Sequence, residues 1–149
     1  MNSYVSAVYQ FVWGTKYRRP VLRADGRDAL YAYIAGILKN KRCELYAIRA
    51  VEDHLHIVLD LHKSLSVAGL VKDIKLATHE FIDLQKLFPA FDYWQEGYAA
   101  LSYHSSAIPE LKAYVEGQDA HHASELNYRL ELMRLLEEHA VGFDEKYLD

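Results

Sequence analysis

Read along the chain, the alternation of apolar and polar positions marks four extended stretches and four helical ones. Tyr4 to Trp13 is rich in Val, Tyr and Phe and nearly apolar on both faces, which suits a central strand. Gly14 ends it, and Thr15 to Arg23 is a polar, basic connection containing Pro20. A first helix begins near Asp25 to Asp28, because Leu30, Tyr33, Ile34, Ile37 and Leu38 recur at the spacing of one helical face, and Lys39, Lys41 and Arg42 complement its negative end. Cys43 to Val51 reads as a second strand and Glu52-Asp53 as a short turn. Val51 to Leu61 then follows as a third strand, paired with the second in an antiparallel hairpin.

Downstream, Ser66 is a plausible N-cap for a second helix, in which Val67, Leu70, Val71, Ile74, Phe81 and Ile82 keep helical spacing and Lys72 and Lys75 fall on the polar side. Leu87, Phe88 and Pro89 close it, and Phe91 to Ser102 carries the aromatic and turn signals of one further strand or tight hairpin. Pro109 fits the first turn of a third helix, with Ile108, Leu111 and Val115 as its apolar stripe and Tyr114, Gln118, His121 and His122 on a neighbouring one. Ser124 is expected to cap a last helix with Leu126, Leu130, Met133 and Leu136 apolar, before a tail containing Phe143, Tyr147 and Leu148. The order β-α-β-β-α-β followed by helices predicts an α+β, ferredoxin-like split β-α-β fold. Its sheet is mostly antiparallel, with helices on one face and extra C-terminal helices that carry Tyr114.

A length of 149 residues fits one domain, residues 1–149, with enough bulk for a single core. The balance of 51% hydrophobic to 26% charged residues excludes a disordered or fibrous chain. With Cys43 alone no internal disulfide forms, which suits a reducing cytosol, and no apolar stretch reaches membrane-spanning length or resembles a signal peptide. A cytoplasmic protein without a membrane partner is expected. The formal charge of −4 does not by itself suggest nucleic acid. Its distribution matters more: Lys16, Arg18, Arg19 and Arg23 crowd together early, whereas Glu131, Glu137, Glu138, Asp144, Glu145 and Asp149 gather near the C-terminus. The early cations are either one basic patch or ordinary surface charge.

The candidate chemistry centres on the third strand. Leu55, Ile57, Leu59 and Leu61 share one of its faces, and His54, His56, Val58 and Asp60 share the other. Two imidazoles on one face of a strand can grip a divalent ion if a third ligand comes from elsewhere, or they can be hydrogen-bonded core histidines. The residues alone leave both readings open. Tyr114 and Gln118 project together from the third helix, and by themselves they read as an ordinary surface pair.

Over nearly its full length the chain resembles the single-tyrosine HUH transposases of small bacterial insertion sequences. The matching stretches are Phe11 to Arg18 (FVWGTKYR), Val51 to His56 (VEDHLH, with His54-Leu55-His56 as the histidine-hydrophobic-histidine motif), Ser64 to Val67, Trp94 to Tyr98 (WQEGY), and Tyr114 to Gln118 (YVEGQ). The resemblance implies that His54, His56 and Gln118 hold a divalent ion, Mg²⁺ or Mn²⁺, and that Tyr114 is the nucleophile. The implied activity is transposition: single-stranded DNA is cut and rejoined at element ends through a 5′-phosphotyrosine, without a nucleotide cofactor. Its partners would be hairpins at those ends and a second copy of the chain in a homodimer. Lys16, Tyr17, Arg18 and Arg19, with Lys72 and Lys75, are the candidate DNA contacts. Family members often carry a histidine where Gln10 stands and a glycine where Ala99 stands, so a domesticated or inactive relative that binds or nicks hairpins is the alternative reading.

Overall fold

Strand β1 (Val8–Gly14) lies at the centre because both of its edges are paired. It runs antiparallel to β3 (His54–Asp60) on one side and to β4 (Ala99–Tyr103) on the other, and β2 (Glu44–Ala50) completes the order β2-β3-β1-β4. Every pairing is antiparallel, as the ferredoxin-like arrangement requires. This computed structural model describes residues 2–118 and 127–148.

Alternation sorts the side chains onto two covered faces. Phe11 and Trp13 of β1 and Leu55, Ile57 and Leu59 of β3 pack against α1 (Ala24–Asn40) and α2 (Val67–Gln85) through Leu30, Ile34, Leu38, Leu70, Val71, Ile74 and Ile82. The two helices also meet directly, with the rings of Tyr33 and Phe81 stacked 4.0 Å apart. On the opposite face, Val8 and Val58 meet Leu111 and Val115 of α3 (Ile108–Glu116), while Val12 and Leu101 meet Leu132, Leu135 and Leu136 of the last helix, α4 (Tyr128–Glu138). The face that bears the histidines is therefore covered by α3 and α4.

Most expected elements form within a few residues of their expected bounds. Ser66 caps α2 by accepting from the Gly69 amide at 3.0 Å, and Pro109 occupies the first turn of α3. The first strand begins at Val8 rather than Tyr4: the last backbone bond on this side runs from the Leu61 amide to the Ala7 carbonyl at 2.9 Å, and Tyr4, beyond it, is 92% exposed. The stripe expected from Tyr114 through His121 and His122 is interrupted, since α3 ends at Glu116 and Gly117 caps it. His121, His122, Ser124 and Leu126 lie outside the described residues. In α4 the cap is Asn127, whose side-chain oxygen accepts from the Leu130 amide at 2.9 Å. The buried stripe of this helix is Tyr128, Glu131, Leu132, Leu135 and Leu136, and Leu130 points outward. Among the described residues no helix is long and apolar enough to cross a membrane.

Candidate active site

The register of the sheet carries His54 and His56 to the end of β3 that pairs with Gly14 and Val12 of β1. Both imidazoles are buried, and neighbours fix the outward nitrogen of each. His54 Nδ1 meets Asp53 Oδ1 at 2.7 Å, and His56 Nδ1 meets Gln10 Oε1 at 2.7 Å. Gln10 is itself oriented by donating through its amide nitrogen to Tyr103 Oη at 2.9 Å. With Nδ1–H donating outward in both rings, the Nε2 atoms face the space under α4.

Glu131 of α4 fills that space. Its Oε1 stands 2.9 Å from His54 Nε2 and 3.0 Å from His56 Nε2, and its Oε2 accepts from Gln118 Nε2 at 2.9 Å and from the Tyr114 hydroxyl. The carboxylate is fully buried. An unpaired charge there costs several kcal/mol, so these contacts are what make its burial tolerable. Two Nε2 atoms and a carboxylate oxygen are all acceptors unless a positive charge sits among them. Burial would depress the His54 pKa, but its hydrogen bonds to Asp53 and Glu131 outweigh this and raise it above the ordinary histidine value. A proton on His54 is one solution; a divalent cation is the other. The ligand atoms of His54, His56 and Glu131 lie within 4.8 Å of one another, and the donor set of two imidazoles and a carboxylate fits such an ion. The outward hydrogen bonds to Asp53 and Gln10 are the supporting contacts that metal-binding histidines usually make.

Tyr128 roofs the site. Its ring stacks on His54 with centroids 4.3 Å apart and planes 12° apart, and its hydroxyl donates to Gln95 Oε1 at 2.8 Å. Gln95 also accepts from the Gly14 amide. A side chain on Gly14 would put a Cβ 2.7 Å from Gln95 Oε1 and 2.8 Å from the Tyr128 ring, so only glycine permits this close approach. Burial, with the charges of Asp53 and Glu131, raises the Tyr128 pKa. Burial, with Glu131 beside it, likewise raises that of Tyr114 and keeps the phenol protonated at rest. Arg134, one turn after Glu131, donates to the Tyr114 hydroxyl at 3.1 Å.

The structure thus gathers His54, His56, Tyr114 and Gln118 around one carboxylate. Of the remaining candidates, Arg18 is partly buried and its charge acts on Tyr128 at the edge of the site, whereas the others lie elsewhere. Lys16 sits between the rings of Tyr17 and Tyr93, with Nζ 5.4 and 5.2 Å from their centroids, and Arg19 lies over Tyr17 while pairing with Asp92 at 3.0 Å. Tyr17 is 72% exposed. Lys72 is exposed on α2, whereas Lys75 is half-buried and donates to the carbonyls of Gln95 at 2.8 Å and Gly97 at 2.5 Å. Glu131 is the residue that sequence reasoning assigned to the acidic C-terminal surface; its one signal is an acid inside an otherwise apolar helical stripe.

The fold and site together are a ferredoxin-like sheet that presents a buried histidine pair to a tyrosine across a shared carboxylate. The sequence matches the family described as "Transposase IS200 like" over residues 3–118, and the chain belongs to that family. It is 27% identical over 100 residues to the transposase for insertion sequence element IS200 of Salmonella typhimurium, a match covering 60% of this chain and 62% of that protein; the Salmonella typhi counterpart matches to the same extent. Two solved structures share the fold. One is a Deinococcus radiodurans R1 protein assigned to the transposases, with TM-score 0.61 and 24% identity, covering 79% of this chain and 95% of that one. The other is a REP-associated tyrosine transposase bound to a REP hairpin, with TM-score 0.62 and 15% identity, covering 82% and 72%.

Proposed function

We propose that this chain is a DNA transposase that cuts and rejoins single-stranded DNA at the ends of an insertion sequence, with Tyr114 as nucleophile. The observation that carries this reading is that Tyr114 and both histidines share one buried carboxylate, Glu131, within a single chain. His54, His56 and Glu131 would hold a divalent ion, Mg²⁺ or Mn²⁺, with Gln118 beside them as a fourth protein donor. When bound, the ion would neutralise charge developing on the scissile phosphate. Tyr114 Oη attacks phosphorus, the Oη–P bond forms as the P–O3′ bond breaks, and the released 3′-oxygen takes a proton from water to become a 3′-hydroxyl. Glu131 Oε2, which accepts the hydrogen bond of the phenol, takes its proton. A second 3′-hydroxyl then displaces the tyrosine. One phosphodiester is exchanged for another, so no nucleotide cofactor is needed.

The substrate track runs over Lys16, Tyr17, Arg18 and Arg19, where exposed aromatic and cationic groups suit unpaired bases and phosphates. Lys72, exposed on α2, is a further phosphate contact in this reading, and Lys75 holds the Trp94 to Tyr98 loop through the Gln95 and Gly97 carbonyls. The partners are hairpins at the element ends, in keeping with the REP hairpin bound by the solved relative, and a second copy of the chain in the cytoplasm.

The test is a denaturing gel with labelled single-stranded oligonucleotides from the flanks of the gene, in Mg²⁺, Mn²⁺ or EDTA. Wild-type protein is expected to give a covalent adduct that needs the ion and is lost in Tyr114→Phe and His56→Ala. Flanks that bind the protein yet give no adduct in either ion would overturn the reading and leave hairpin binding alone.

A further inference from the structure

Arg134 has no part in holding an ion, yet its guanidinium reaches the nucleophile. It projects from α4 over the Tyr114 ring, 5.8 Å from the ring centroid, and its Nη2 donates to Tyr114 Oη at 3.1 Å. On its exposed side Arg134 pairs with Glu138 of the same helix, 3.8 Å away and largely exposed, a weak pairing. Beside the tyrosine hydroxyl lies a cavity of about 220 Å³ whose walls include Gln10, Tyr103, Tyr114 and Arg134, with the carboxylates of Glu110 and Glu138 also on its lining. The two faces of Tyr114 Oη are therefore unlike: one meets the buried carboxylate of Glu131, and the other meets a cation at the edge of an open space.

We propose that Arg134 is a catalytic residue that binds the phosphate joined to Tyr114; the inference rests on the assignment of Tyr114 as nucleophile. Once Oη is bonded to phosphorus, the non-bridging oxygens lie one bond further on, within reach of the same guanidinium. Arginine holds phosphate through paired N–H donors and stays charged throughout, so it acts by charge and hydrogen bonding and never by proton transfer. In the cutting step it meets the negative charge that builds up as Oη–P forms and P–O3′ breaks. In the rejoining step the incoming 3′-oxygen bonds to phosphorus, P–Oη breaks, and Arg134 holds the departing phenolate until it is reprotonated.

Single-turnover adduct formation at saturating oligonucleotide, with Arg134→Ala and Arg134→Lys beside the wild type, separates chemistry from binding. The alanine variant is expected to be about 100-fold slower, by the usual effect of removing one charge-stabilising donor. Its oligonucleotide affinity is expected to stay within a few-fold of wild type and its melting temperature unchanged. Lysine should restore part of the rate, and added guanidinium ion at low millimolar concentration should restore part of it to the alanine variant. Wild-type rates in Arg134→Ala, or a slowing wholly explained by weaker binding or by unfolding, would overturn the inference while leaving Tyr114 in place. No adduct with wild-type protein would overturn the nucleophile assignment itself, and this inference with it.

Discussion

Replacing Glu131 by Gln removes one negative charge at nearly constant volume from the point where His54, His56, Tyr114 and Gln118 converge. Without metal, the wild-type carboxylate neutralises a protonated His54 and accepts hydrogen bonds from His54, Tyr114 and Gln118 in a fully buried position. Losing the charge-assisted share of these bonds costs roughly 2–3 kcal/mol. In a domain of this size each kcal/mol moves the melting temperature by about 2–4 °C, so the EDTA-treated variant should melt roughly 4–12 °C lower. Metal then separates a ligand from a merely structural acid. If Mn²⁺ is supplied at 100 times the wild-type Kd, it stabilises wild-type protein by about 2.7 kcal/mol. A variant whose Kd rises about 100-fold gains only about 0.4 kcal/mol at the same concentration. Thermal melts of both proteins, in EDTA and across a Mn²⁺ titration, read out both effects. Equal Mn²⁺-induced shifts in the two proteins would refute Glu131 as a ligand, and equal melting in EDTA would refute its role as counter-charge.

Three further outcomes follow from the same geometry. Gly14→Ala forces a Cβ into the Tyr128 ring and Gln95, and should destabilise the fold by about 1–3 kcal/mol in urea titrations; an unchanged midpoint would mean that the Gln95 loop moves aside freely. Lys75, its pKa lowered by burial to about 8, binds its proton less readily folded than unfolded, so its contribution to stability is lost as pH falls through 8 and grows as pH rises from 8 towards 10.5. Denaturant midpoints over that range should rise more in wild-type protein than in Lys75→Met, by less than full linkage because the amine is half exposed, and parallel curves would discard the assignment. Replacing Lys16, Arg18 and Arg19 together by Ala should weaken binding of single-stranded DNA at all sequences and flatten the log–log salt slope by about 0.7 for each phosphate no longer neutralised; an unchanged slope would remove them from the DNA track.

The parts of the fold that were legible in the sequence are those governed by local period. Alternation from Leu55 to Leu59 and helical spacing from Leu30 to Leu38 report burial on one face, and the structure buries those residues. His54 and His56 were legible as a pair because two polar residues on one face of an apolar strand break the alternation in register. The paired left-handed residues Tyr17 and Arg18, with φ of 58° and 53°, were not legible. Neither is glycine, and the turn is set by tertiary contacts, including the Thr15 hydroxyl donating to the Arg19 carbonyl at 2.7 Å and the Lys16 amide to that of Tyr93 at 2.9 Å. Lys75 misled for a related reason: its α2 position reads as solvent, but the Trp94 to Tyr98 loop folds over it and supplies carbonyl acceptors.

Glu131 was missed because the rule that found the other elements counts an acid as surface. With Glu131 read as exposed, the apolar stripe of the last helix shifts to Leu126, Leu130, Met133 and Leu136, and it places the helix one face out of true. With Glu131 read as buried, Tyr128, Leu132, Leu135 and Leu136 close into one stripe, and that is the stripe the structure buries. Folding alone would favour an apolar residue there, since a buried carboxylate with its partners is often no more stabilising than a well-packed hydrophobic one. The acid makes physical sense only together with the groups it faces, which come from β3 and from the tyrosine helix and are distant in sequence. A local pattern that fails at one position, and is repaired by placing a charge in the core, is where a site is expected. In this chain that position touches the histidine pair and the tyrosine at once, and the Glu131→Gln melts test it directly.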